Sequence, residues 1–490
     1  MKSFLMVVAV LFPIFSGAIL PALRFETRRS RGIYVLSVTL LTSFFLLLLI
    51  LRRPADEFTL LRLTSDLSIA FRIDGLGCVF ASLLALLWPV ASMYALEYIK
   101  HEGMDDKFFC FYTMAYGVSA GIALSANMLT MYLFYELLTL ATLPLIMHAM
   151  NRRAVNAGIK YLAYSIGGAA MAFVGMVILY HHGYSSLNFV YGGAASVIAP
   201  TDRSVILMAY VLTFFGFGVK AAVFPFHGWL PTAGVAPTPV TALLHAVAVV
   251  KSGVFALMRS TFYLFGTAVL TGTWVQFTGM AFAAFTIVYG CAHALCEQHI
   301  KRRLAYSTVS NLSYIVFAVM LMTPEGLVGA MAHMLFHGIT KITLFFCAGA
   351  VFYKTRLEYV PEIEGLGLKM KGTFATFTLA SASLIGVPLL PGFISKWYIA
   401  SAAAESGLPL SVIGVGALMI SACLTAGYLL TIVVRAYFPM NAPAKEIRGA
   451  GDPNLLMLIP FAILCVAMLF LGTHSGWLID RLTLISVGLM

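Results

Sequence analysis

The sequence predicts an all-α, polytopic membrane protein of about fourteen transmembrane helices, and three observations carry that prediction. Only 10% of its 490 residues are charged while 61% are hydrophobic, with a mean hydropathy of +0.93; soluble globular domains carry roughly a quarter charged residues. Apolar runs of about 20 residues, the length of a bilayer-spanning helix, recur from end to end. The runs are long and continuous, and in lipid only helices and closed barrels satisfy the backbone, so the pattern favours helices.

The expected spans lie near residues 4–23, 33–51, 73–96, 108–126, 128–150, 161–180, 205–226, 239–265, 274–297, 304–322, 326–353, 372–403, 410–438 and 455–475. The first has no basic flank beyond Lys2 and no convincing small-residue cleavage site, so it reads as a retained helix rather than a signal peptide. Several runs exceed what a bilayer needs, which implies tilt or interruption. The polar stretches 52–72 and 181–203 and the connector 439–453 read as loops, and no soluble domain is expected.

The net charge of +11 would suit an acidic partner such as nucleic acid, but topology explains it better. Nineteen of the 31 lysines and arginines, among them Arg28, Arg153, Lys301, Arg303, Lys445 and Arg448, fall in loops on one side. Eight fall on the other, including Lys2, Arg53, Arg72 and Arg259. The positive-inside rule then places both termini on the non-cytoplasmic face. The remaining four, Lys220, Lys251, Lys341 and Lys396, sit inside apolar spans. The seven cysteines are scattered, and Cys291 and Cys296 have neither metal-site nor redox-motif spacing. No disulfide framework, iron–sulfur cluster or other cofactor is expected.

Charge at bilayer depth is costly and usually faces a protein interior. Glu136 is the only acid of its span, MLTMYLFYELLTLATLPLIM. It reads as an ion-pathway carboxylate able to pair with a buried lysine, or as a packing group hydrogen-bonded between helices. Lys220 lies in LTFFGFGVKAAVFPFHGWLP, a span that should break near Pro225 because proline removes a donor and clashes with the preceding turn. Irregular backbone at that depth is tolerated where it lines protein or a water cavity. The alternative is a lysine snorkelling to the interface. A second break is expected in SASLIGVPLLPGFISKWYIAS, at Pro388, Pro391 and Gly392, with Lys396 following. Two interrupted helices in corresponding halves point to an internally repeated transporter, although Lys220 precedes its break and Lys396 follows its own.

Lys251 follows His245 by six residues, so on a regular helix the two point to different faces. His333, His337 and Lys341 recur every four residues and share one face. Such a line suits a proton relay, since histidine changes charge near neutral pH; the bland alternative is a set of satisfied core histidines. Desolvation disfavours a buried ammonium and a nearby carboxylate restores it, so shifting one against the other loads or discharges a proton.

Four segments, FHGWLP (226–231), APTPVTALLHA (236–246), KRRLAYSTVSNLSY (301–314) and GFISKW (392–397), carry a resemblance over roughly residues 70–435. The chain resembles the antiporter-like subunits shared by respiratory complex I, Mrp Na⁺/H⁺ antiporters and membrane-bound hydrogenases. That resemblance implies two inverted five-helix repeats, residues 108–270 and 271–440, each with one broken helix. Residues 1–107 supply three helices before them and residues 441–490 one after. It also implies that Glu136 and Lys220 are the fifth- and seventh-helix partners and that Lys251 is the central eighth-helix lysine. His333, His337 and Lys341 would form the eleventh-helix relay and Lys396 the twelfth-helix terminal group, where some members carry glutamate. The acidic residue frequent in the family before Lys-Arg is replaced here, the run reading Gln298-His299-Ile300-Lys301.

The chain stops soon after the fourteenth span, without the long lateral helix of the largest members, so a medium-length subunit stacked beside sister subunits is expected. Other expected partners are small membrane subunits, the lipid bilayer of the inner cell membrane and, in a redox-driven complex, an iron–sulfur or hydrogenase-like arm; nucleic acid is not. The leading function is a non-catalytic H⁺- or Na⁺-translocating subunit. A quinone- or haem-binding redox subunit competes, but no paired haem arrangement or dinucleotide fingerprint is present. A scaffold with relic charges is opposed by the four buried lysines, and a coupling subunit for another solute stays open.

Overall fold

The computed structural model describes residues 4–54, 56–193, 199, 202–439 and 450–489. The loop charges Lys2, Lys445 and Arg448, and most of the 439–453 connector, lie outside the described residues. The chain is predominantly helical, and several of its helices begin where the sequence offers a capping side chain. Helix α1 (Phe4–Ile19) leads to α2 (Arg28–Arg52), whose first turn is capped by the Thr27 hydroxyl. Asp74, Asn127 and Asn151 cap α3 (Gly75–Tyr98), α5 (Met128–Ile146) and α6 (Arg152–His181) in the same way, and α4 (Asp105–Ala123) lies between α3 and α5.

Then come α7 (Arg203–Lys220), a short α8 (Trp229–Thr232), α9 (Thr238–Ala246), α10 (Val249–Arg259) and a π-helical turn at Ser260–Phe265. The one-turn α11 (Thr267–Leu270) precedes α12 (Trp274–Cys296), α13 (Ile300–Met320) and the 32-residue α14 (Pro324–Thr355). Thr323 caps α14 and Pro324 opens it, a position where the missing N–H is harmless. The chain closes with α15 (Leu366–Lys369), α16 (Lys371–Ile385), α17 (Pro391–Glu405), α18 (Pro409–Tyr437), α19 (Leu455–Thr473) and α20 (Gly476–Ser486).

Among the described residues, eleven helical segments are long and apolar enough to cross a membrane. The three further expected spans differ for identifiable reasons. Helices α4 and α13 have the length, at 19 and 21 residues, but are less apolar. Helix α13 carries Ser307, Thr308, Ser310, Asn311 and Ser313, all buried against protein rather than lipid. The expected span 372–403 is two fifteen-residue helices.

Both expected breaks are present, with shifted bounds. Helix α7 ends at Lys220, so irregular backbone starts four residues before Pro225. The second break is Gly386–Leu390 in sequence; Pro391 and Gly392 fall outside it and form the first turn of α17. A third interruption, at Val247–Ala248, splits the expected 239–265 span. The stretch 52–72 is not a simple loop either: β1 (Phe58–Arg62) and β2 (Ser68–Phe71) pair as an antiparallel hairpin. Three expected loop cations are buried instead: Arg259, Lys301 and Arg303 are at most 8% exposed.

Helix α14 forms the axis, packed by α3, α9, α13, α16, α17, α19 and α20. The outer helices α2, α18 and α19 present large apolar side chains, among them Leu51, Val412, Ile413, Met419 and Val466. Exposed apolar surface on this scale suits a lipid environment.

Candidate ion-translocation site

The titratable residues occupy places where the backbone is interrupted or where two helices meet closely. Lys220, the last residue of α7, is fully buried, and its ammonium donates to the backbone carbonyl of Tyr135 on α5 while lying 3.5 Å from the centre of that tyrosine ring. Tyr135 in turn donates its hydroxyl to the Phe217 carbonyl at 3.3 Å, tying α5 to α7. Glu136 is the next residue along α5, partly buried, with Oε1 enclosed and without a hydrogen-bond partner. No direct ion pair joins Glu136 and Lys220; the tyrosine between them holds the lysine instead.

The centre is built on the unexpected interruption. Val247 and Ala248 both donate to the Leu243 carbonyl, which ends α9 and restarts the chain as α10. The helical-wheel relation expected between His245 and Lys251 therefore does not apply. Lys251 is fully buried and its Nζ lies 2.6 Å from His337 Nδ1 on α14. The His337 and His333 rings stack at 5.7 Å, one helical turn apart. His333 Nδ1 then reaches Ser395 Oγ at 2.9 Å, and its ring stacks on Tyr314 at 5.3 Å. His333 Nε2, His337 Nε2 and both nitrogens of His245 have no hydrogen-bond partner among the described residues. Each is a spare donor or acceptor, as a group that hands a proton onward requires. Lys341, one turn beyond His337, donates to the Ser307 hydroxyl on α13, and His245 packs on Phe345 with ring centres 4.7 Å apart.

Lys396 lies at the second break. Its Nζ donates to the carbonyls of Leu384 and Ile385 at 2.6 and 3.0 Å, two acceptors that the end of α16 leaves without intrahelical partners. A cation there also faces the negative end of the α16 dipole. Tyr314 lies beneath it, 5.4 Å from Nζ to ring centre, so the same tyrosine borders both His333 and Lys396. Pro225 and Pro388 are exposed at the two breaks.

The structure thus brings Lys251, His337, His333 and Lys396 into one neighbourhood through Ser395 and Tyr314. It sets Lys341 one turn further along α14, tied to Ser307 on α13, and leaves Glu136 and Lys220 as a separate cluster around Tyr135. Sequence reasoning missed Tyr135, Ser307, Tyr314 and Ser395. The one available signal was the density of hydroxyl residues in KRRLAYSTVSNLSY, which is unusual for a lipid-facing helix. It also missed Arg259, which is fully buried amid Phe189, Phe255 and Tyr263 and forks onto Asp74, with Nη2 2.7 Å from Oδ1. Among the described residues no three His, Cys, Asp or Glu side chains converge as a metal would require.

A family model described as NADH:quinone oxidoreductase/Mrp antiporter, TM matches residues 125–425. The chain is 30% identical over 425 residues to the NADH-quinone oxidoreductase subunit N of Desulforudis audaxviator (strain MP104C), covering 84% of this chain and 83% of that one. With Hydrogenase-4 component B of Escherichia coli (strain K12) it shares 27% identity, over 84% of this chain and 64% of that protein. Its fold matches a chain of an archaeal respiratory membrane complex, the membrane-bound sulfane sulfur reductase, with a TM-score of 0.87 at 21% identity over 99% of this chain and 97% of that one. A chain of the Mrp complex from Dietzia sp. DQ12-45-1b matches at 0.84 and 22% identity, over 99% of this chain and 52% of that one. The fold, the motifs and these matches agree: the chain belongs to the NADH:quinone oxidoreductase/Mrp antiporter transmembrane family.

Proposed function

We propose that this chain is a proton- or Na⁺-translocating subunit of a multisubunit complex of the inner cell membrane, either redox-driven or of the Mrp antiporter type. The observation that carries the reading is the 2.6 Å contact between Lys251 and His337, made where an interrupted helix meets α14 in the fully enclosed centre. A charge there is costly, which favours a functional role, and the contacts continue through His333 and Tyr314 to Lys396.

In this reading α4 to α10 and α12 to α18 are two inverted five-helix units, flanked by residues 1–107 and 441–490. Counting α4, α13 and the α16–α17 pair with the eleven apolar segments gives fourteen crossings. Glu136 and Lys220 then load the first unit, Lys251 with His245, His333, His337 and Lys341 passes the ion across the middle, and Lys396 releases it. Sister antiporter-like subunits and small membrane subunits complete the complex. Copurifying iron–sulfur subunits would mark it as redox-driven, and a set of small membrane proteins alone as an Mrp-type antiporter.

Replacing Lys251 by alanine tests the assignment, because alanine removes the titrating group and suits a helix. The expected outcome is loss of ΔpH formation or Na⁺ uptake in vesicles with the amount of assembled complex largely retained. Parental transport by the variant would overturn the reading. Loss of assembly without a transport defect per complex would make Lys251 structural.

A further inference from the structure

Away from the central cluster of Lys251, His333, His337 and Lys396, a cleft of about 470 Å³ opens between the start of α6, the segment after the α7 break and the start of α13. That size lies within the roughly 300–1,000 Å³ usual for small-molecule sites. Its charged lining is lopsided: Arg153, Lys160, Lys301 and Arg302 stand against Glu358 alone. Arg302 is engaged by Glu297 at 3.3 Å, and Glu358 by His299 at 3.7 Å. No carboxylate among the described residues is within ion-pair distance of Arg153, Lys160 or Lys301.

Lys301 is the telling residue. It is only 8% exposed and lines the cleft, and its ammonium makes no hydrogen bond among the described residues; the Phe352 ring lies 5.5 Å from its Nζ. A cation enclosed to that degree calls for an anion. The first turn of α13 adds to the demand, because its N-cap His299 provides no side-chain acceptor, whereas α6 is capped by Asn151. The Ile300 N–H is taken by the Glu358 carbonyl at 2.9 Å, but those of Lys301 and Arg302 have no partner among the described residues, and open N–H groups at the start of a 21-residue helix favour an oxyanion.

We infer that this cleft is a binding site for a phosphate-class oxyanion, carried by an anionic phospholipid headgroup or by a soluble phosphate compound. Lys301 and the α13 N–H groups meet it from one wall, and Arg153 and Lys160 from the other, by charge-assisted hydrogen bonds. Lys160 now donates to Thr232 at 3.1 Å on the segment following the α7 break, so an oxyanion competes with Thr232 for that lysine. Glu358 at the wall favours a compact anion over an extended acidic peptide.

The test uses the purified full-length chain. Inorganic phosphate and pyrophosphate are titrated calorimetrically in detergent, and phosphatidylglycerol retention is followed by native mass spectrometry from mixed nanodiscs. At least one probe is expected to bind, with Arg153→Gln and Lys301→Gln each weakening it about tenfold. Lys369→Gln, at an exposed position at the end of α15 outside the cleft, should bind as the parent does. Arg153 is exposed, so its variant keeps the test valid if Lys301→Gln misfolds. Binding of the lipid alone, or of the soluble anions alone, supports the site and names the source. Binding by neither probe, binding unchanged in Arg153→Gln, or a copurified acidic protein segment seated in the cleft would overturn it.

Discussion

Lysine and histidine share one proton most directly when their nitrogens face each other, as those of Lys251 and His337 do at 2.6 Å. His337→Gln keeps a polar side chain but cannot titrate. We expect it to lower ion movement to the level of Lys251→Ala, and the double variant to be no worse than either, since residues that act as a unit are not additive. Transport per assembled complex in vesicles is the measurement, and parental rates in His337→Gln would reduce the contact to packing. The line His333, His337, Lys341 was legible in the sequence because a four-residue repeat places groups on one helical face whatever surrounds them. Their partners were not. Ser395 and Ser307 sit on other helices, 62 and 34 residues away in sequence from the groups they bond, and a lone serine carries no signal of that distance. Glu136 and Lys220 were legible as buried charges, but the Tyr135 carbonyl that holds the lysine is a backbone group that no side-chain pattern encodes.

Helix interruptions were visible where proline marks them and invisible where it does not. The Val247–Ala248 interruption falls in HAVAVVKSG, a stretch with no proline, where Val247 and Ala248 both donate to the Leu243 carbonyl. Gly253 sits where α10 packs on α7: a Cβ there would run into the backbone of Lys220 and Ala221 at the end of α7. Gly253→Ala should therefore force α10 off α7, destabilising by about 1–3 kcal/mol as overpacked cores do and lowering the thermal midpoint. A variant melting like the parent would show that the two helices separate freely. The second break makes a related demand. Lys396→Ala leaves the Leu384 and Ile385 carbonyls without their donor, at a cost of about 1–3 kcal/mol if water cannot reach them. Lys396→Arg retains a cationic donor and should recover most of the stability, a comparison that separates the helix-capping role from proton release.

At the scale of the whole molecule, Asp74 and Arg259 clamp the start of α3 to the end of α10. Burial pushes the Asp74 carboxyl up, but the Arg259 guanidinium and the Gly77 N–H together outweigh it and hold the group below its ordinary 3.8. Its stabilisation is therefore present above about pH 4 and is lost as the pH falls through the lowered value. Asp74→Asn should melt earlier than the parent at neutral pH and depend less on acid; parallel acid profiles would remove the clamp. The sequence made the membrane class and most of the crossings plain, because hydropathy needs no partner to be read. It misplaced Arg259, Lys301 and Arg303 as loop charges, because charge at a helix end looks the same whether it faces water or a neighbouring helix. Helix α14 has a further consequence. Its 32 residues extend about 48 Å, well beyond the roughly 30 Å of hydrocarbon, yet 94% of its most apolar stretch is enclosed by protein, against 33% for α19 and 39% for α2 and α6. A thinner or thicker bilayer therefore strains the rim and leaves the axis alone. Lipid chain length should shift the melting temperature of the reconstituted protein while leaving ion transport per assembled complex in place, so that one chain could serve membranes of different thickness without retuning its centre.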